Sequence, residues 1–130
     1  MSEEAQRAIE AFRAELQRKI EDFEGRAAEL SNAVRPYSNE VNAFCEALRA
    51  VVQQQLKSDI ALQRQVSAYS FSEDTVSVNH IYSKGSRDLN ISVIFGRKSL
   101  SYGGNQYEFN QMSSLFDAIS NEVLRFYSPF

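Results

Sequence analysis

An apolar stripe runs along the first part of the chain and constrains its fold more than any other feature. Its members are Ile9, Leu16, Ile20, Phe23, Ala27, Leu30, Val34, Tyr37, Val41 and Phe44. From Ile20 onward they recur at alternating steps of three and four residues. A repeat of about 3.5 residues keeps one face of a helix turned toward a packing partner. The stripe therefore predicts amphipathic helices that pack against other helices.

The composition of residues 3–33 also favours a helix. This segment lacks proline and is rich in Ala, Glu, Arg, Gln and Leu, which are strong helix formers. Ser2 precedes Glu3 and Glu4, so a capping hydroxyl and two negative charges lie at the positive end of the predicted helix. Gly25 is the weak point, because glycine costs about 1 kcal/mol relative to alanine inside a helix.

Pro36 leaves two interpretations of the first 57 residues open. In one, the chain turns at residues 36–38, and Ser38 or Asn39 caps a second helix over 39–57, giving an antiparallel hairpin of two helices. In the other, a single kinked helix runs through the proline, because the stripe keeps its phase across it. We favour the hairpin, since a proline in mid-helix costs about 3 kcal/mol.

The chain changes character near Gln63, where alternation typical of half-buried strands begins. One run places Val76, Val78, His80 and Tyr82 on a shared face, and the next does the same for Leu89, Ile91, Val93 and Phe95. Residues 84–87 and 96–98 are predicted turns, and residues 65–72 form a candidate edge strand. These features predict an antiparallel β-meander of four to five strands.

The segment from Ser99 to Phe109 is predicted to be a hairpin. A two-residue turn at Gly104 and Asn105 would pair Tyr102 with Tyr107 and Leu100 with Phe109. Both apolar pairs would then lie on one face, as in stable hairpins.

A final helix follows, with Asn110 as its predicted cap and Ser128-Pro129 as its end. Its apolar residues recur at helical spacing and can cover one face of the sheet: Met112, Leu115, Phe116, Ile119, Val123 and Phe126. The predicted fold class is α+β: two N-terminal amphipathic helices (a hairpin or one long kinked helix), the meander, and a C-terminal helix packed on the sheet.

The charge balance argues against several functional classes. The formal net charge is −3, so the basic surplus that binding to nucleic acid phosphates requires is missing. Cys45 is the sole cysteine, which precludes an internal disulfide. No apolar run approaches the roughly 20 residues needed to cross a bilayer. We expect a cytoplasmic protein that binds neither nucleic acid nor membrane.

No catalytic, cofactor-binding or metal-binding residue is assigned. His80 is the only histidine and lies in phase with apolar strand residues, so we interpret it as a half-buried histidine bonded to a tyrosine or the backbone. Cys45 lies within the stripe beside Phe44 and is interpreted as a small buried residue. We expect a protein that is not an enzyme and uses no cofactor.

The length of the first predicted helix suggests a function. At about 30 residues it would measure roughly 45 Å, whereas a compact domain of this size has a radius of gyration near 14 Å. Its apolar residues would then overhang the domain and require a protein partner or a second copy, in a homodimer. The predicted partner-binding residues are Ile9, Phe12, Leu16, Ile20 and Phe23.

The predicted organisation is a helical docking segment over residues 1–62 and a head over 63–130, within one continuous structural unit. The first functional hypothesis is a non-enzymatic interaction module that self-associates or docks through its N-terminal helices. The alternative is a small inhibitor or immunity-type protein that blocks another macromolecule through the Ser-, Asn- and Tyr-rich strands of its head.

Overall fold

The computed structural model describes residues 1–56, 66–70 and 73–128. Its elements follow in the order α1 (Glu3–Leu56), β1 (Val66–Ser70), β2 (Thr75–Lys84), β3 (Arg87–Phe95), β4 (Ser99–Tyr102), β5 (Asn105–Glu108) and α2 (Met112–Tyr127). The fold is α+β, as predicted, with a five-stranded meander and a C-terminal helix. The predicted boundary between the helical segment and the head, at residues 62 and 63, lies outside the described residues. Pro129, part of the predicted end of the last helix, lies outside them as well.

The favoured two-helix hairpin is wrong, because α1 is one helix of 54 residues with Pro36 inside it. At about 1.5 Å per residue, α1 is about 80 Å long. Val34 and Val41 flank the proline and are both buried, so packing continues through Pro36 on one helix face. Burying such side chains contributes about 1.5–3 kcal/mol each, which offsets the cost of the proline, whose own ring is exposed.

The five strands form one antiparallel sheet in sequence order. Val78 pairs with Val93 and Tyr82 with Leu89, so the two predicted apolar runs share a face. The turn between β2 and β3 has Gly85 at φ 62°, a conformation that glycine adopts without steric cost. At the other end of β3, Gly96 N–H donates to the Ser99 carbonyl at 2.8 Å. Both predicted turns are confirmed.

The β4–β5 hairpin has a different register from the predicted one. Leu100 pairs with Tyr107, and Tyr102 with Asn105. The turn therefore comprises Gly103 and Gly104, with φ of 59° and 81°. A hairpin turn of type I′ has positive φ at both central positions, and two consecutive glycines meet this requirement better than a glycine followed by asparagine.

Both helices cover the same face of the sheet. Phe44 of α1 and Phe116 of α2 pack with ring centroids 4.4 Å apart, and Tyr37 stacks on Phe109 at 4.3 Å. The buried core comprises α1 side chains from Leu30 onward, the inward strand residues and the α2 stripe. The predicted cap is wrong by one position, because Gln111 is the N-cap and Asn110 precedes it. Ser128 is the C-cap, as predicted.

Candidate interaction surface

The first half of α1 projects away from the core, and we call residues 3–29 the arm and the rest of the described fold the head. The arm starts as predicted, since the Ala5 N–H donates to Ser2 Oγ at 3.2 Å and satisfies one free amide. Ion pairs within the helix, such as Arg26 with Asp22 at 3.7 Å, add a few tenths of a kcal/mol each. The arm is therefore stabilised mainly by local helix-forming residues.

Four of the predicted partner-binding residues are exposed on the arm. Phe12 is 65% exposed, and Ile9, Leu16 and Ile20 are 44%, 45% and 41% exposed. Large apolar side chains at this spacing form a continuous apolar patch instead of the isolated exposed residues that are normal on protein surfaces. We call Ile9, Phe12, Leu16 and Ile20 the arm stripe.

The fifth predicted residue, Phe23, has a different environment. Its ring packs edge-on against Tyr69 of β1, with centroids 5.2 Å apart, and it is partly buried. Phe23 therefore marks the point where the sheet begins to cover α1, and the uncovered length of the arm ends near Asp22.

A polar cluster on the head meets the base of the arm. Tyr69 Oη donates to Asp74 at 2.5 Å, and Arg97 Nε donates to the other oxygen of Asp74 at 2.9 Å. These two bonds lower the pKa of the Asp74 carboxyl, with the Tyr69 bond the larger cause. Arg97 also lies 3.9 Å from Glu29 of the arm. Exposed ion pairs contribute little, so the continuous helix, more than this cluster, sets the direction of the arm.

A second polar cluster lies beneath α1 in the core and was not predicted. His80 Nε2 lies 2.8 Å from Asn42 Oδ1, and Arg49 donates to the Ile81 carbonyl at 2.8 Å. Tyr82 Oη donates to the Cys45 carbonyl at 2.5 Å. The expected partner of His80, a tyrosine or the backbone, is thus replaced by a side chain of the helix.

The environment of this cluster opposes ionisation. Burial, followed by the nearby Arg49 charge, lowers the pKa of His80. Burial raises the pKa of the Cys45 thiol to about 11. Among the described residues, Arg49 Nε and His80 Nδ1 have no hydrogen-bond partner. A neutral imidazole and a protonated thiol, both enclosed, fit structural roles for His80 and Cys45, although His80 is fully buried and not half-buried as predicted. The signal that sequence reasoning missed was Asn42 and Arg49 lying next to the stripe.

The turns over residues 84–87 and 96–98 each carry two basic residues and lie at opposite ends of β3. Nine residues separate them along this strand, or about 30 Å at about 3.3 Å per residue. Lys84 Nζ donates to the Tyr127 carbonyl at 3.1 Å, and Arg87 lies over the Phe126 ring at 5.4 Å. These cations therefore pack against the end of α2 and do not combine with Arg97 and Lys98 into one basic patch.

The face of the sheet opposite the helices is lined mainly by small polar side chains of intermediate exposure, with Ile81 and Ile94 among them. Most of these are serines and asparagines: Ser77, Asn79, Ser92, Ser99 and Ser101. Neither helix packs on this face. Strand β1 lies at the edge of the sheet, and of the predicted edge strand over 65–72 only residues 66–70 are described.

No protein-family model matches this sequence, and neither the curated proteins nor the solved structures contain a significant match to it. Within the described residues, no group of three or more His, Cys, Asp or Glu side chains is arranged to hold a metal ion. The same residues include no helix with the length and apolar character that a bilayer crossing demands. The arm stripe is the feature from which a function can be argued.

Proposed function

We propose that this protein is a non-enzymatic interaction module that binds another helix through the exposed stripe of its arm. The single observation that carries the proposal is the 65% exposure of Phe12 at the centre of an apolar row. Burying such side chains against a partner contributes about 25 cal/mol per Å² of apolar surface. A helix laid along the row is the partner that fits, because the stripe repeats at the spacing of helix-to-helix packing.

The head has a supporting role in this proposal. It covers the second half of α1 and so fixes the direction in which the arm projects. The single cysteine, Cys45, is a buried free thiol, which suits the reducing cytoplasmic setting that we include in the proposal.

The test compares two double variants of the full chain that differ only in the face of the arm they alter. Phe12→Glu with Leu16→Glu places charge in the stripe. Ala11→Glu with Ala14→Glu adds the same charge on the opposite, exposed face. Analytical ultracentrifugation would measure self-association, and immobilised proteins would measure retention of partners. We expect the wild type and the Ala11/Ala14 variant to associate and the stripe variant to lose association.

Association that survives in the stripe variant would contradict the proposal. Circular dichroism provides the control for folding, because both variants alter only exposed positions and should retain the helical signal of the wild type.

A second candidate function rests on the open sheet face. Its row of serines and asparagines offers adaptable hydrogen bonding of the kind found in protein-binding loops, as expected of an inhibitor that blocks another macromolecule. Substituting Ser77, Ser92 and Ser101 together by lysine would abolish binding by this face and leave arm-dependent association unchanged. Partner retention by the two sets of variants therefore separates the two functions.

A further inference from the structure

The uncovered arm and the covered half of α1 use the same helix face. The arm stripe continues through Phe23 and Ala27 in steps of three and four to Leu30 and Val34, which are buried in the head. A partner that packs under the arm must therefore lie in the same layer as the sheet of this protein. That placement limits how a second copy can be oriented.

A second copy aligned in parallel would collide with the head. Its helix would run beside α1 past Phe23, into the volume where Tyr69 packs on the Phe23 ring. Because α1 is a single helix to Leu56, the partner helix cannot turn away at that point. The sheet therefore blocks parallel pairing.

Antiparallel pairing avoids this collision and aligns the stripe with itself. We propose that the uncovered arm, residues 3–22, pairs antiparallel with the same segment of a second copy, around a two-fold axis next to Phe12. This inference rests on the proposed function and names its partner. The pairing places Phe12 against Phe12 of the second copy, Ile9 against Leu16, and Ala5 against Ile20.

The paired length and the exposed side chains suit this arrangement. The 20 residues from Glu3 to Asp22 extend about 30 Å at about 1.5 Å per residue, so both arms overlap fully before either tip meets the other head. Phe12, the most exposed stripe residue at 65%, lies at the centre of the interface, where aromatic residues contribute most to binding.

Charge near the tip of the arm does not distinguish the two orientations. The first turn of α1 carries Glu3 and Glu4, which parallel copies would bring next to each other. In the antiparallel pair the same turn lies near Lys19 but also opposite Glu21 and Asp22 of the second copy. The orientation is therefore set by the sheet, which blocks parallel pairing.

The apolar area predicts a weak dimer. With about 150–250 Å² for a fully buried aromatic side chain and somewhat less for Ile or Leu, the stripe exposes roughly 350 Å² per copy. Two stripes with the aliphatic stems beside them bury on the order of 1,000 Å², at the lower end of specific interfaces. The dimer should therefore be reversible and depend on concentration.

Sedimentation equilibrium on the full chain tests whether a second copy is the partner of the arm. The measurement covers protein concentrations from roughly 1 μM to roughly 1 mM. We expect the average mass to rise toward twice that of one chain in the wild type and in the Ala11→Glu, Ala14→Glu variant. The Phe12→Glu, Leu16→Glu variant should keep the mass of one chain. A wild type of constant single-chain mass, or a stripe variant that dimerises equally well, would overturn the inference.

Pulsed electron spin resonance on spin-labelled Lys98→Cys protein tests the orientation. Lys98 is exposed beside Arg97, which contacts Glu29 at the base of the arm, while Cys45 is buried and escapes labelling. In the antiparallel dimer the two labels should lie about 50 Å or more apart, given about 1.5 Å per residue along the helix. A main distance below about 35 Å would overturn the inference, because it requires heads on the same side of the paired arms.

Failure of this inference is distinguishable from failure of the proposed function. A wild type that stays a single chain but still retains a partner through the stripe would remove the second copy as occupant and leave the interaction module intact. Association that ignores the stripe would remove both.

Discussion

The two halves of α1 both carry an apolar stripe at helical spacing, but their surroundings are opposite. From Leu30 to Phe44 the stripe is buried or half-buried against the sheet and α2, whereas from Ile9 to Ile20 it is exposed. The spacing differs only slightly, with steps of 3, 4 and 4 residues from Ile9 to Ile20 and of 4, 3, 4 and 3 from Leu30 to Phe44. The main difference is what lies beneath each half. A stripe in a sequence thus indicates that a surface will be buried, but it does not indicate whether the same chain or a partner buries it.

The sharpest way to test this comparison is to make the same substitution in each half. Leu30→Ala removes a side chain that is 0% exposed, and Leu16→Ala removes one that is 45% exposed. We expect Leu30→Ala to lower the free energy of unfolding by about 2–5 kcal/mol, because it leaves a cavity in the core. Leu16→Ala should change it by less than about 0.5 kcal/mol in the single chain.

Urea unfolding at low protein concentration would measure both values. Equal losses would mean that the arm is covered within one molecule, and the comparison between the halves would fail.

The next largest effect on stability is expected at Pro36, which lies between the two halves of α1. Pro36 removes one backbone hydrogen bond from a helix that is otherwise continuous, and its ring is exposed. Pro36→Ala should therefore raise the free energy of unfolding by about 1–3 kcal/mol. Thermal or urea unfolding would detect this change. A loss of stability would instead show that the proline shapes α1 to fit the sheet.

The sequence predicted the sheet better than the helices, for a physical reason. Strand alternation and turn glycines are local signals, and the turns around Gly85 and Gly96 agreed with the structure. The continuity of α1 depends on a competition between the local cost of Pro36 and the burial of Val34 and Val41 on a sheet about 40 residues away. The local sequence reveals the cost of the proline, but it does not reveal how much surface the two valines bury.

The candidate site shows the same division. Spacing identified Ile9, Phe12, Leu16 and Ile20 as one apolar stripe, because helical periodicity is a local signal in the sequence. It could not show that Tyr69 would cover Phe23, or that Asn42 would meet His80. These contacts depend on how the sheet lies across α1, which no local pattern specifies.

The covered half of α1 should make the head sensitive to acid. The pKa of His80 lies below its ordinary value of 6.5 in the folded state, mainly because of burial and then because of Arg49. The unfolded chain therefore binds the proton more readily, so stability is complete above about pH 6.5 and decreases as the pH falls below it. Urea unfolding at pH 7.5 and pH 5 should show a larger acid-induced loss in the wild type than in His80→Gln. The same loss in both proteins would assign the acid sensitivity to other groups.

The smallest effect should be confined to the arm. A Cβ added at Gly25 meets nothing within 4 Å, so Gly25→Ala should stabilise the helix locally by about 0.5–1 kcal/mol. Hydrogen exchange at low protein concentration would show slower exchange of the amides before residue 25, by a factor of about two to five. Amides of β2 and β3 should exchange as in the wild type, because the head does not depend on the arm for its core. Slower exchange across both regions would instead show that arm and head unfold as one cooperative unit. The change at Phe23, where the sheet begins to cover α1, would then be a difference in exposure and not in stability.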